Sequence, residues 1–480
     1  MLVIAMASCV STPDIQAPQM PAADAAKEAW TKAIDRDPAL DTSFATSQWW
    51  SLFNDPLLTA LEDQAAVASL DVREATARIE EGRALLGSVR AAQLPHLGIS
   101  GSARQQGLSE NGPLARLGAP TEATDFYEAG LQASWELDLW GHLRHQRQAA
   151  SERLEAASLR RDAVQVSIAA EVARTYLLLR GIQAQLAIVE ETEEIAEHLV
   201  QVAESRHRNG VASRLDTSSA NAELAALQAR IVQLQQQRDA VASALGRLLA
   251  QPPRELDARL ASAPLPAMPA RLPVGVPSEL AQRRPDIQEA EALLRASVAD
   301  IGAARADFYP RLQLSGRLGL EAFDAGDLGD WGSRTFAVGP VLHLPVFQGG
   351  RLKSNLALTQ ARHQVAAIRY QRTVLAAWHE VDAALRSYET ERLRQESLEL
   401  AQQQASVALV VARRAYGQGS VDITSVLSAQ RTQLGAQAAL ADCATASALS
   451  VVSLYRALGG GWSPEVSTEA ANDQRRGKAH

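Results

Sequence analysis

Arg305-Ala-Asp-Phe-Tyr-Pro-Arg-Leu-Gln-Leu-Ser-Gly-Arg-Leu-Gly-Leu320 is the stretch that decides how this chain is built. After Pro310, Leu312, Leu314, Leu318 and Leu320 fall on one face at period two, the signature of a strand. Phe336, Val338, Leu342, Leu344 and Val346 alternate in the same way with Ala337, Gly339, Val341 and His343. So do Leu131, Ala133, Trp135, Leu137 and Leu139 with Gln132, Ser134, Glu136 and Asp138, and, more weakly, residues 95–105. Four strands are expected, at about 95–106, 124–139, 311–321 and 334–347, in two pairs joined by the Gly/Pro-containing loops 106–123 and 321–333. One apolar and one small or polar face suits a membrane barrel and a soluble antiparallel sheet equally. Trp331, at the edge of the second loop, suits a membrane-interface belt or ordinary packing.

Everything around the strands reads as helix, rich in Ala and Leu. Asn54-Asp55-Pro56 is a helix start, and no strong break follows before about Arg90. Further helices are expected over 141–205, 213–249, 278–307, 350–416 and 421–458. The two long ones, of roughly 65 residues, would each span on the order of 100 Å. In the second, Val365, Ile368, Leu375, Trp378 and Leu385 form an expected a/d seam, which implies coiled-coil-like packing.

The order helix, strand, loop, strand, long helix, turn, helix occurs twice. Arg90-Ala-Ala-Gln-Leu-Pro-His-Leu-Gly-Ile-Ser-Gly101 matches Arg305–Gly316, 215 positions on; Asn209-Gly210-Val-Ala-Ser213 answers Gln418-Gly419-Ser-Val-Asp422, 209 positions on. A tandem duplication explains both. Four strands cannot close, and an open edge in lipid leaves backbone groups unpaired. Three copies supply twelve strands, an even number that suits an outer-membrane barrel, although another copy number would also close.

Composition narrows the function. The 480 residues carry a net charge of −8, which argues against a nucleic-acid binder with a broad basic surface. Two cysteines, Cys9 and Cys443, exclude a disulfide framework. No apolar run approaches the ~18 residues of a spanning helix, so passage through a bilayer falls to strands. No metal site is expected: His379-Glu380 lacks a second His at 383, which is Ala, and His142 and His145 alone make a weak pair. There is no phosphate loop and no nucleophile with its base, so no catalytic residue and no cofactor is expected. Residues 2–8, short and apolar, lead to Cys9 and resemble the end of a bacterial lipoprotein signal, which makes Cys9 the expected lipidation site. Met6 stands where Leu is usual, and no basic segment precedes, so the true start is expected upstream.

The sequence resembles the outer-membrane efflux channels of tripartite pumps, in particular the lipoprotein subgroup that serves resistance-nodulation-division transporters. The resemblance covers nearly all of residues 48–459. It is carried by Gln48-Trp-Trp-Ser-Leu-Phe-Asn-Asp-Pro-Leu57, Trp135-Glu-Leu-Asp-Leu-Trp-Gly141, Gln282-Arg-Arg-Pro-Asp-Ile287, Phe308-Tyr-Pro-Arg-Leu312 and Leu344-Pro-Val-Phe-Gln-Gly-Gly-Arg-Leu352. It implies a mainly α fold with a membrane β part: a homotrimer with a twelve-stranded outer-membrane barrel, four strands per chain, continuous with a long periplasmic helical barrel and an equatorial collar. It also implies export of small molecules, with a periplasmic adaptor protein and an inner-membrane pump as partners, and lipid around the barrel.

On that reading the chain divides into a partial signal (1–8), a lipid-anchored tether (9–53, extended over 10–47), a first repeat (54–250), a Pro-rich equatorial linker (251–277), a second repeat (278–459) and a disordered tail (460–480). The tip turns are at Gly210 and Gly419. By the resemblance, Asp216 and Tyr416 would form a gate hydrogen bond, while Val421, Ser425 and Ser428 depart from the family's usual gate residues; Asp422 is expected to supply a ring of charge, since three copies would meet near the axis. Asp216 acting as a helix cap and Tyr416 packing at a helix end remain the alternative. Two other functions stay open: a channel for type I protein secretion, and a soluble coiled-coil scaffold.

Overall fold

The computed structural model describes residues 24–43, 47–119, 121–277 and 280–462; Cys9 and residues 463–480 lie outside them. In chain order the elements are α1 (Asp24–Arg36), β1 (Leu40–Asp41), a 3-10 turn (Trp49–Phe53), α2 (Pro56–Ala68), α3 (Leu70–Ala91), β2 (His96–Gln106), the helical turn α4 (Pro113–Arg116), β3 (Thr124–Leu137), α5 (His142–Arg208), α6 (Arg214–Leu248), β4 (Leu272–Pro273), α7 (Leu280–Arg283), α8 (Pro285–Ala306), β5 (Arg311–Ala322), β6 (Arg334–His343), α9 (Arg351–Gly417) and α10 (Ile423–Ala457). Two compact units result. A sheet unit contains Arg78–Ala157 and Glu289–Tyr370; a helical unit contains Ser158–Gln288, the chain from Gln371 onward and the described residues before Arg78.

The duplication is visible in helix lengths: α5 and α9 have 67 residues each, α6 and α10 have 35 each. The repeat spacing falls from 215 to 209 because the loop between β5 and β6 is shorter than that between β2 and β3.

The start at Asn54-Asp55-Pro56 forms as expected. The Asp55 carboxylate accepts from the N–H groups of Leu57 (2.8 Å) and Leu58 (3.0 Å), and Pro56 occupies a position whose N–H would be orphaned anyway. The uninterrupted helix expected from Asp55 to Arg90 is broken at Ser69, which is extended at ψ 128° and begins α3 as its carbonyl accepts from Arg73 (3.1 Å). Serine favours such cap positions over a helix interior. The helix expected over 278–307 also divides, because Pro285 disfavours helical backbone at Arg284. The extended tether is corrected too. Residues 24–36 contain no proline and form α1, whose buried Trp30 meets Trp378 edge-on at 6.3 Å. Leu40-Asp41 then pairs in parallel with Leu272-Pro273 of the Pro-rich linker.

The four strands form one antiparallel sheet in the order β2-β3-β5-β6. β3 stops at Leu137 and β6 at His343, short of the expected 139 and 347. The partner of β6 begins at Arg311, opposite His343, and Pro310 before it cannot donate to a ladder.

In α9 the buried stripe is Val374, Ala377, Val381, Ala384 and Tyr388, spaced three and four. The expected seam is covered only in part: Val365, Ile368 and Leu375 are 49%, 62% and 45% exposed, whereas Leu385 is buried and Trp378 meets Trp30. The single chain leaves the Val365–Leu375 end of that seam open. α10 is, by length and composition, apolar enough to cross a membrane, though half of that window is buried. Val451, Leu454 and Tyr455 on it are core residues.

Candidate channel wall and helical tip

Strand register sorts the side chains of the sheet by face. Ile99, Leu131, Leu318 and Phe336 stand opposite one another across all four strands, and Leu97, Ala133, Gly316 and Val338 form the next such row. Between these rows, on the other face, lie Gly98, Gln132, Arg317 and Ala337. The apolar face is open: Leu97, Ile99, Phe336 and Val338 are all about three-quarters exposed or more (74%, 84%, 80% and 77%). An apolar surface spanning four strands is foreign to a soluble monomer. On the polar face Glu128 pairs with Arg104 (3.7 Å) and with Arg317, and Glu136 pairs with Arg311 (3.9 Å).

Aromatic side chains gather at both ends of the strands. Towards the loops, Phe126 meets Phe323 edge-on at 5.6 Å, and Arg334 lies over exposed Trp331. Towards the helices, Trp140 stacks on Tyr309 at 4.9 Å and donates to the Pro310 carbonyl, while Trp135 donates to that of Gln93. Trp135 lies on the apolar face and Phe126 on the face of Glu128 and Gln132, so it is the apolar band that marks a membrane barrel wall. The Tyr309-Pro310 and Trp135–Trp140 segments carry these aromatics, but strand period alone does not reveal which end of a strand a residue occupies.

The turns α5–α6 and α9–α10 share one backbone design. Gly210 (φ 73°) and Gly419 (φ 75°) are left-handed. Val211 N–H reaches back to Arg206 O (2.8 Å), and Ser420 N–H to Ala415 O (3.0 Å). Glycine at this position removes the steric cost of the left-handed turn and lets the last carbonyls of the helix be satisfied. Each turn then feeds a capped helix. Ser213 and Asp216 form a capping box on α6, with Ser213 N–H donating to the Asp216 carboxylate at 2.8 Å. Asp422 caps α10 and also accepts from the Thr424 and Ser425 hydroxyls at 2.6 and 3.1 Å; these bonds hold its carboxyl below the usual carboxylate range.

The expected Asp216–Tyr416 bond is not made within the chain. The Tyr416 hydroxyl is buried without a partner, while Arg206 lies over its ring at 4.5 Å and donates to its carbonyl at 3.2 Å. The physical reason is local: the Asp216 carboxylate is drawn to the orphan N–H at its own helix start. Around Tyr416, Leu199, Ala203, Leu409, Ile423 and Val426 pack into a core that joins the two hairpins, and Arg431 reaches the buried Glu223 at 2.6 Å.

His142 pairs with Asp307 (3.1 Å), whose hydrogen bond raises the imidazole pKa, and His145 is buried with both ring nitrogens unpartnered. Among the described residues no group of three or more His, Cys, Asp or Glu is placed to hold a metal ion.

Comparison with known proteins identifies the wall. Residues 61–251 and 276–460, one stretch from each repeat, match the outer membrane efflux protein family. The chain belongs to that family. Among its relatives, the outer membrane protein OprJ of Pseudomonas aeruginosa is 31% identical over 463 residues, covering 96% of this chain and 95% of that protein. ArpC of Pseudomonas putida, an antibiotic efflux pump outer membrane protein, is 32% identical over 98% of this chain and 96% of its own. The solved outer-membrane channel OprN superposes with a TM-score of 0.84 at 34% identity, covering 95% of this chain and 98% of that one. The fold class is that of the trimeric outer-membrane efflux channels. This outer membrane efflux protein is therefore the outer-membrane duct of an efflux pump, in a family of channels and not of enzymes.

Proposed function

We propose that three copies close their sheets edge to edge into a twelve-stranded barrel, through which small molecules leave the cell passively. The observation that carries this is the sheet itself, with one continuous apolar face exposed and two bare edges, β2 and β6. With four alternating strands per copy, β6 of one copy meets β2 of the next antiparallel, so the ladder continues without a reversal. Lipid then covers the Ile99–Phe336 row, and the Gln132–Arg317 row faces water. The uncovered Val365–Leu375 stripe of α9 supports contact with a neighbouring copy in the same assembly.

The helical tip is proposed as the gate and as the contact site for a periplasmic adaptor, with an inner-membrane pump supplying the energy. The Tyr416 hydroxyl is buried and unpartnered within one chain, so its bond to a polar group of a neighbouring copy requires the tip to rearrange; Asp216 and Asp422 are carboxylates beside these turns. Acylation of Cys9 is proposed to anchor each copy. Single-channel recording of the purified trimer in planar bilayers tests the gate: Asp216→Ala with Tyr416→Phe should raise conductance, and an unchanged trace removes these residues from it. Intact mass of membrane-extracted protein tests Cys9, where an unmodified thiol would reject the anchor.

A further inference from the structure

The two bare edges of the sheet each carry a histidine at the helix end: His96 opens β2 and His343 closes β6. Alternation along the strands puts both on the polar face, with Gly98 and Ala337. Both are exposed, and among the described residues no hydrogen bond or ion pair engages either ring. Within one copy they stand on opposite edges, with two strands between them.

The three-copy barrel proposed above, on which this site depends, brings the two edges together, and closure limits how they meet. The row of His96 runs through Ser134 and Ser315 to Gly339, four residues short of His343. At the loop end the strands step the same way. β2 and β3 pair out to Gln106 and Thr124, β5 stops at Ala322 opposite Tyr127, and β6 starts at Arg334 opposite Leu320. The rows therefore slope, and on β2 of the next copy they meet residues beyond His96, towards Gln106. For twelve strands tilted by about 35–45°, a rise of ~3.3 Å and a spacing of ~4.8 Å set a total stagger of roughly 12–17 residues, or about four to six per copy. That offset must be even, because an odd one would turn lumen residues towards lipid. An offset of about four sets His343 opposite His96 of the next copy; one of about six sets it opposite Gly98, which has no side chain, with His96 one same-face step away. Both registers put the two imidazoles side by side on the water-facing wall.

We propose that each of the three seams binds a divalent transition ion of the zinc, nickel or copper class, ligated by His343 of one copy and His96 of the next, with water completing the coordination. Neutral imidazole is the commonest metal ligand and suits these ions. The surroundings do not repel a cation. Arg311 stands opposite His343, and its charge is balanced by Asp307 at 2.7 Å and Glu136 at 3.9 Å. Ser134, opposite His96, is uncharged. An ion held by two copies binds the closed barrel and not the separate chains, so it stabilises the seam by mass action.

The test uses the full chain purified in detergent without a polyhistidine tag, stripped with EDTA, dialysed and titrated with zinc chloride by calorimetry at neutral pH. Native mass spectrometry counts the copies in the same samples. The expected result is three zinc ions per trimer and a thermal midpoint that rises with zinc and returns with EDTA. His96→Ala and His343→Ala should each remove all three ions while leaving a trimer. Co-expressed, the two variants form mixed trimers in which one seam has both imidazoles, and these should recover one ion, as no site within a single copy could. A trimer that takes up no zinc, single variants that keep the three ions, or mixed trimers that recover none overturn this site and leave the barrel standing. A sample that contains no trimer overturns the barrel and the site together.

Discussion

The sheet and the helical tip satisfy their backbones in opposite ways. At the tip the turns are closed locally: a left-handed glycine, a carbonyl reached five residues back and a side-chain cap serve each turn, twice over, and Arg206 adds a bond across to the Tyr416 carbonyl. The sheet is incomplete by construction. Its inner ladders are full, but two edges and one whole apolar face find no partner in the chain. The difference teaches where this protein depends on its surroundings. A tip that closes itself can present a varied surface, whereas a sheet that cannot must be completed by lipid and by other copies.

The largest break in this comparison should come from charging the open face. Leu318→Arg places a cation in the Ile99–Phe336 row and should cost about 2–4 kcal/mol near the membrane midplane, seen as loss of heat-resistant trimer from outer-membrane fractions on unheated gels. Ser134→Arg on the polar face, in the His96–Ser315 row, should leave the trimer band in place. Equal behaviour of the two variants would remove the distinction between faces.

A smaller effect is expected at the tip. Gly419→Val and Gly210→Val each force a branched side chain into left-handed backbone, at about 1–2 kcal/mol, read as a lower thermal midpoint in detergent. The shared design predicts similar losses at both turns; a loss at one alone would show that the repeats have diverged there.

The smallest effect concerns pH. Asp422 is a carboxyl whose folded pKa is depressed below the ordinary 3.8 by the Thr424 and Ser425 bonds. Its contribution is therefore present above the unfolded value and lost as pH falls through the folded one. Amide exchange at Ser425 should accelerate below about pH 3.8, relative to the same amide in Asp422→Asn, and the sheet amides should show no such dependence.

Much of this was legible in the sequence, and the misses share a cause. Alternation at Leu312–Leu320 and Leu131–Leu137 located the strands, because a period of two needs no tertiary context. The Asp55-Pro56 start and the glycine turns were legible for the same reason. The break at Ser69 was not, since a single serine is compatible with a helix until packing buries it. The helix at 24–36 was obscured by prolines that flank it without entering it. Asp216 shows the limit for a functional residue: the capping box with Ser213 was written locally, but whether its carboxylate also serves a gate depends on what another copy brings near it.

By itself the sequence determined the elements, their duplication and the two-faced character of each strand, since these follow from periodicity and from residues acting within a few positions of themselves. Only the tertiary structure decided which rows align across four strands, and which apolar surface of α9 is buried and which is left open. Those outcomes depend on contacts between residues far apart in the chain, and no local pattern carries them.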